Sequence, residues 1–113
     1  MTTHYIELVA GTEALVSTLG IFAGAKGVIP ALTPLMLDAT NGALVVWDGA
    51  HAGQAVYVSC FAVDTASQTH AQVYKAGVLN VDALNWPDDV TTLSAKVAAF
   101  VGSGISVQPL ALV

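Results

Sequence analysis

Two apolar runs, Leu35-Met36-Leu37 and Ala43-Leu44-Val45-Val46-Trp47, flank the polar stretch Asp38-Ala39-Thr40-Asn41-Gly42. Asn and Gly both tolerate positive φ, so Asn41-Gly42 predicts a hairpin joining two strands. Asp48-Gly49 closes the second run with another turn. Residues 55–63 combine aromatic and β-branched side chains and predict an interior strand. Residues 70–75 and 78–81 predict two more strands, separated by Ala76-Gly77, and Ile105-Ser106-Val107 predicts a closing one. Short strands with turn punctuation about every ten residues are an all-β signal.

The rhythm changes after residue 81. Asp82-Ala83-Leu84-Asn85 predicts one helical turn capped by Asp82. Val90, Leu93, Val97 and Val101 then recur at helical spacing with Phe100 beside them. They predict a helix from about 89 to 100 whose apolar face meets the sheet. Asp88-Asp89 behind Pro87 suit its start, Lys96 suits its far end, and Gly102 and Gly104 stop it.

Residues 1–24 form a chemically distinct leader, ahead of a β-rich domain over 25–113. His4-Tyr5-Ile6-Glu7-Leu8-Val9 fits a short strand, and residues 13–19 fit a helical turn or two between Gly11 and Gly20. The leader is too apolar for an ordinary solvated tail. Two readings stand: an arm that orders against a partner, or a first strand of the core. The expected fold class is mainly β with short helices, in a single domain.

Composition narrows the function. Hydrophobic residues make up 55% of the chain and charged residues 10%, against roughly 25% charged in a typical soluble domain. Low charge suggests contact with other protein chains; a compact Ala-rich monomer with a neutral polar surface is the alternative. Net charge is −5, and the few basic residues are all lysines. That argues against direct nucleic-acid binding and against attraction to an anionic membrane. The apolar stretch 15–22 is broken by Ser17, Thr18 and Gly20 and is too short to span a bilayer.

Candidate chemistry is sparse. His4, His51 and His70 are scattered without metal-ligand spacing, and the single cysteine, Cys60, rules out a cysteine-rich zinc site. Cys60 with His70 is the one imaginable nucleophile and base, but an apolar strand context explains Cys60 more simply as a buried, inert thiol. Asp38, Asp48 and Asp64 sit beside turns, where carboxylates cap backbone amides. No phosphate-loop or dinucleotide pattern is present, so no catalytic residue, metal or cofactor is expected. Trp47 and Trp86, each beside a turn, are expected to be core fillers or to line a subunit contact.

The blocks TPLMLD (33–38), LVVWDG (44–49), YKAG (74–77), LNWP (84–87) and AFVGSGISV (99–107) resemble the head decoration proteins of lambda-like tailed bacteriophages. The resemblance runs in order from about residue 25 to 107. It implies a β-clip-like domain with an N-terminal arm, no enzymatic activity, and assembly as a homotrimer. Such trimers sit on the outer surface of the expanded head, clamp neighbouring major capsid subunits and resist the pressure of packaged DNA. Before assembly the chain would be in the host cytoplasm, and afterwards on the virion.

By the same resemblance, the leader would be the arm that orders on the shell, with His4, Tyr5, Ile6, Glu7, Leu8 and Val9 as capsid-contact candidates. Trp47, Trp86, Pro34 and Pro87 lie in or beside the matched blocks and are the structural or interface candidates. The run ALVSTLGIF is more apolar than a loose arm needs, and residues 108–113 extend beyond the matched blocks. A neck or tail β-protein is the rival reading. A small-molecule binding domain with a cleft near Trp47 or Trp86 is another.

Overall fold

The expected hairpin is formed by β3 (Pro34–Leu37) and β4 (Leu44–Val46), paired antiparallel with Leu37 opposite Leu44. The computed structural model describes residues 15–24 and 26–109. The turn is wider than a two-residue loop. Asp38 N–H donates to the Ala43 carbonyl, and Gly42 N–H donates back to the Asp38 carbonyl, both at 2.7 Å. Of the Asn-Gly pair only Gly42 takes a positive φ, 72°.

The remaining strands are β1 (Val16–Ile21), β2 (Val28–Ile29), β5 (Tyr57–Ser59), β6 (Val63–Asp64), β7 (His70–Asn80) and β8 (Ile105–Gln108). The main sheet runs β1-β7-β5-β3-β4, with β8 added parallel to β7. Phe22, just past β1, bridges Leu44, and Ala23 N–H donates to the Leu44 carbonyl at 3.0 Å. The two ends of the strand order therefore meet. They wrap the sheet around Phe22, Ile29, Leu35, Leu44, Val63 and Val73. A second core, including Trp47, Val58, Leu79, Phe100, Ile105 and Val107, lies where α1 (Leu93–Ala99) and β8 approach.

Several sequence expectations are corrected. Residues 16–21 form a strand along β7, not a helical turn; pairing with β7 outweighs the weak local preference of a short helix. The single strand expected over 55–63 is broken at Ser59. Its N–H donates to Thr33 O and its hydroxyl to Pro30 O, and the chain then leaves to pair β6 with β2. Conversely, the two strands expected around Ala76-Gly77 are one, His70–Asn80. Gly77, at φ 129°, begins the β8 pairing where β1 has ended, so this glycine marks an exchange of partners.

The helical caps also differ. Asn80, not Asp82, caps the 3-10 turn Val81–Ala83, its Oδ1 accepting from Asp82 N–H at 3.1 Å. α1 begins after Thr92, whose hydroxyl accepts from Ala95 N–H at 3.2 Å, so Asp88 and Asp89 lie outside it. The expected apolar face is split: Val90 and Phe100 are buried in the core as expected, and the other three positions are not. Leu93, Val97 and Val101 are exposed, while Ala99 and Phe100 face the core. Cys60 is only partly buried. Among the described residues no helix is long and apolar enough to cross a membrane.

Candidate functional site

Trp47 follows β4 directly, and its N–H donates to the Pro34 carbonyl at 2.9 Å, which continues the hairpin pairing. Its ring is buried, and the indole Nε1 donates to the His51 carbonyl at 3.0 Å. Trp86 reaches the same place from the opposite direction. Asn85 N–H donates to Leu32 O at 2.7 Å, and Leu32 is held at φ 58° by its own N–H bond to Ser59 O. Leu32 is a side-chain-bearing residue in the left-handed region, a conformation that surrounding structure must enforce.

Thus anchored, the Trp86 ring stands edge-on to Trp47, with centroids 6.2 Å apart and planes at 80°. It also meets Phe100 edge-on at 6.0 Å, and its Nε1 donates to Val81 O at 2.8 Å. The Lys96 ammonium lies 5.9 Å from the Trp86 ring centroid, within cation–π range. Every indole donor is satisfied, as a buried aromatic with a polar edge requires.

Pro87 joins this cluster through Gly49. A Cβ on Gly49 would sit 3.2 Å from the Pro87 Cβ and 3.0 Å from a Val90 methyl, and Gly49 has φ 77°. The WDG turn is therefore shaped to receive the WP segment. Pro34 is buried at the start of β3. The structure thus brings Trp47, Trp86 and Pro87 together and ties Pro34 to Trp47 by a backbone bond. His4, Tyr5, Ile6, Glu7, Leu8 and Val9 lie outside the described residues.

Polar groups at the surface serve turns. Asp38, Asp48 and Asp64 each accept, through Oδ1, from the amide two residues on, at 2.8, 2.9 and 3.1 Å. That is the turn role expected of them. Asp48 also pairs with His51 Nδ1 at 3.2 Å, and its carboxyl lies below the ordinary range, chiefly through the Ala50 amide. Burial pushes the Cys60 thiol up, with Tyr74 opposing it to a smaller extent, and the His70 ring contacts the Thr69 hydroxyl at 3.1 Å. Among the described residues no three His, Cys, Asp or Glu side chains converge as a metal site.

Among the described residues, one shallow depression lies between Val97, Phe100, Val101 and Ile105, and another between Leu37, Gln54 and Val56; neither of these is lined by a tryptophan. What the surface does offer is apolar area: Leu93 and Val97 on α1 with Val101 just past its end, Leu19 and Ile21 on β1, Val28 on β2, and Phe61. Sequence reasoning assigned the α1 stripe to the core. The competing signal was Lys96-Ala99-Phe100, a smaller face at the same spacing, from which Lys96 and Phe100 meet the Trp86 ring and Ala99 is buried.

The sequence model of a family described as bacteriophage lambda head decoration protein D matches residues 3–107. An Escherichia phage N15 protein named as a decoration protein is 50% identical over 80 residues, covering 69% of this chain and 70% of its own. The head decoration protein of Enterobacteria phage P21 is 38% identical over 101 residues, covering 89% of this chain and 85% of its own.

Proposed function

The chain belongs to the bacteriophage lambda head decoration protein D family, and from that premise we propose that it decorates the expanded phage head as a homotrimer. It binds the major capsid protein at the outer surface of the head and braces the shell against the pressure of packaged DNA. The observation that carries this reading is the family match over residues 3–107, nearly the whole chain.

The physical requirements are modest. A trimer that engages several capsid subunits at once turns individually weak contacts into firm attachment, because each later contact forms at high effective concentration. Preference for the expanded shell over its precursor then stabilises the expanded state by the difference in affinity. The exposed apolar side chains of α1, β1 and Phe61 support such contacts without charge.

His4-Tyr5-Ile6-Glu7-Leu8-Val9 is the arm segment proposed to add a strand to an exposed capsid edge. Main-chain hydrogen bonds would then supply affinity, and apolar side chains the fit. Deleting residues 2–10 is expected to lower occupancy of expanded heads; unchanged occupancy would remove the arm from the contact.

The deciding experiment is co-sedimentation of the purified protein with unexpanded and with expanded cognate heads. Saturable binding to expanded heads alone, in multiples of three copies per site, is the expected result. Binding to neither form returns the chain to other structural roles in the virion, and equal binding to both refutes stabilisation through preference.

A further inference from the structure

The loop joining β3 to β4 carries the chain's one Asn-Gly pair, and both residues are exposed. We infer that Asn41 is a site of spontaneous covalent self-modification, in which the Gly42 amide nitrogen closes a succinimide ring on the Asn41 side chain. This inference is independent of the proposed function.

The chemistry needs only water. The Gly42 nitrogen attacks Asn41 Cγ, forming a new C–N bond; the Cγ–Nδ2 bond breaks, and ammonia leaves with the proton lost from the amide. Water then opens the ring at either carbonyl. Opening at Cγ gives aspartate, and opening at the main-chain carbonyl gives isoaspartate, which routes the backbone through the side chain. No oxidant, metal or partner enters.

Three features favour the reaction here. Glycine following the asparagine leaves the attacking nitrogen without a flanking side chain. A Cβ at Gly42 would meet nothing within 4 Å, so the space beside the attacking Gly42 nitrogen is open. Finally, Ala43 N–H donates to Asn41 Oδ1 at 2.9 Å. That oxygen gains negative charge as Cγ becomes tetrahedral, so the donor is already aimed where charge develops. One interaction opposes it: Gly42 N–H donates to Asp38 O at 2.7 Å, and this bond must open before the amide loses its proton.

The other described asparagines lack this combination. Asn80 is buried, its Oδ1 accepts from Asp82 N–H, and Val81 follows it. Asn85 precedes the bulky Trp86, and its Nδ2 donates to Ala31 O at 3.3 Å.

Cleavage after lysine separates Asn41 from the other two asparagines. One peptide, 27–75, carries Asn41 alone, and another, 76–96, carries Asn80 and Asn85. The folded full-length chain is held in mildly alkaline buffer, digested at intervals, and followed by mass and by isoaspartyl methyltransferase labelling. The 27–75 peptide is expected to gain one mass unit at least ~tenfold faster than 76–96, a barrier difference of about 1.4 kcal/mol. Its rate should rise with pH, and the gain should vanish in Asn41→Gln. Equal rates in the two peptides, no conversion at 27–75, or conversion that persists in Asn41→Gln would each overturn the assignment.

Discussion

Gly20 lies directly beneath Leu44: a Cβ on Gly20 would come within 2.8 Å of the Leu44 Cδ1 and 3.0 Å of a Val73 methyl. This contact sits beside the Phe22–Leu44 bridge that joins the two ends of the strand order. The glycine therefore sets how closely β1 can approach the hairpin. Gly20→Ala is expected to destabilise the fold by about 1–3 kcal/mol through overpacking. Leu44→Val in the same chain should recover part of the loss, since the two sites share one contact. Urea denaturation of the single and double variants checks both; additive losses would count against the contact.

Trp47 offers a cleaner separation of packing from hydrogen bonding. Trp47→Phe keeps an aromatic ring against Trp86 but leaves the His51 carbonyl without its indole donor. A loss of about 1–3 kcal/mol is expected, the usual penalty for an unpaired polar group combined with a smaller ring. Near-ultraviolet circular dichroism should change as well, because the edge-on indole pair is removed. An unaltered spectrum would mean that the rings do not couple in solution.

The hairpin, the closing strand and the turn carboxylates were legible because each follows from local chemistry. Asn41-Gly42 needs a loop, and Asp38, Asp48 and Asp64 find amides two residues away. The misread elements depend on distant partners. Nothing within residues 55–63 reveals that Ser59 will bond Pro30 and Thr33 across 26 or more positions. Likewise Gly77 looks like a strand end until β8 arrives beside it. The Trp47–Trp86–Pro87 cluster was visible as three separate residues, but their meeting was not, since it depends on Leu32 holding Asn85 in place. The α1 stripe was misassigned because helical spacing shows that a face is apolar, not which surface covers it.

That stripe gives a direct comparison. Val101 is 65% exposed and Phe100 only 2%, although they are neighbours in the chain. Val101→Ser is expected to change the stability of the isolated chain by no more than about 0.5 kcal/mol. Phe100→Ala, which empties the space under Trp86, should cost about 3–5 kcal/mol. Thermal or chemical unfolding across a range of protein concentrations reads both. A large, concentration-dependent loss from Val101→Ser would place this residue in an interface between chains.

The Asp48 carboxyl is held below its ordinary value of 3.8, first by the Ala50 amide and to a smaller extent by His51. A carboxyl whose folded pKa is depressed contributes stability above its unfolded pKa, and that contribution is lost as pH falls through the folded value. The window is therefore acidic, beginning near the ordinary carboxylate range and ending below it. The Asp48 side chain is exposed, so solvent screens the effect and keeps it small. Carboxyl titration by NMR should give Asp48 a midpoint below 3.8. His51→Ala should raise that midpoint only in part, because the Ala50 amide still donates. A return to the ordinary value in His51→Ala would reverse the order of causes and make the ion pair, not the turn, the source of the shift.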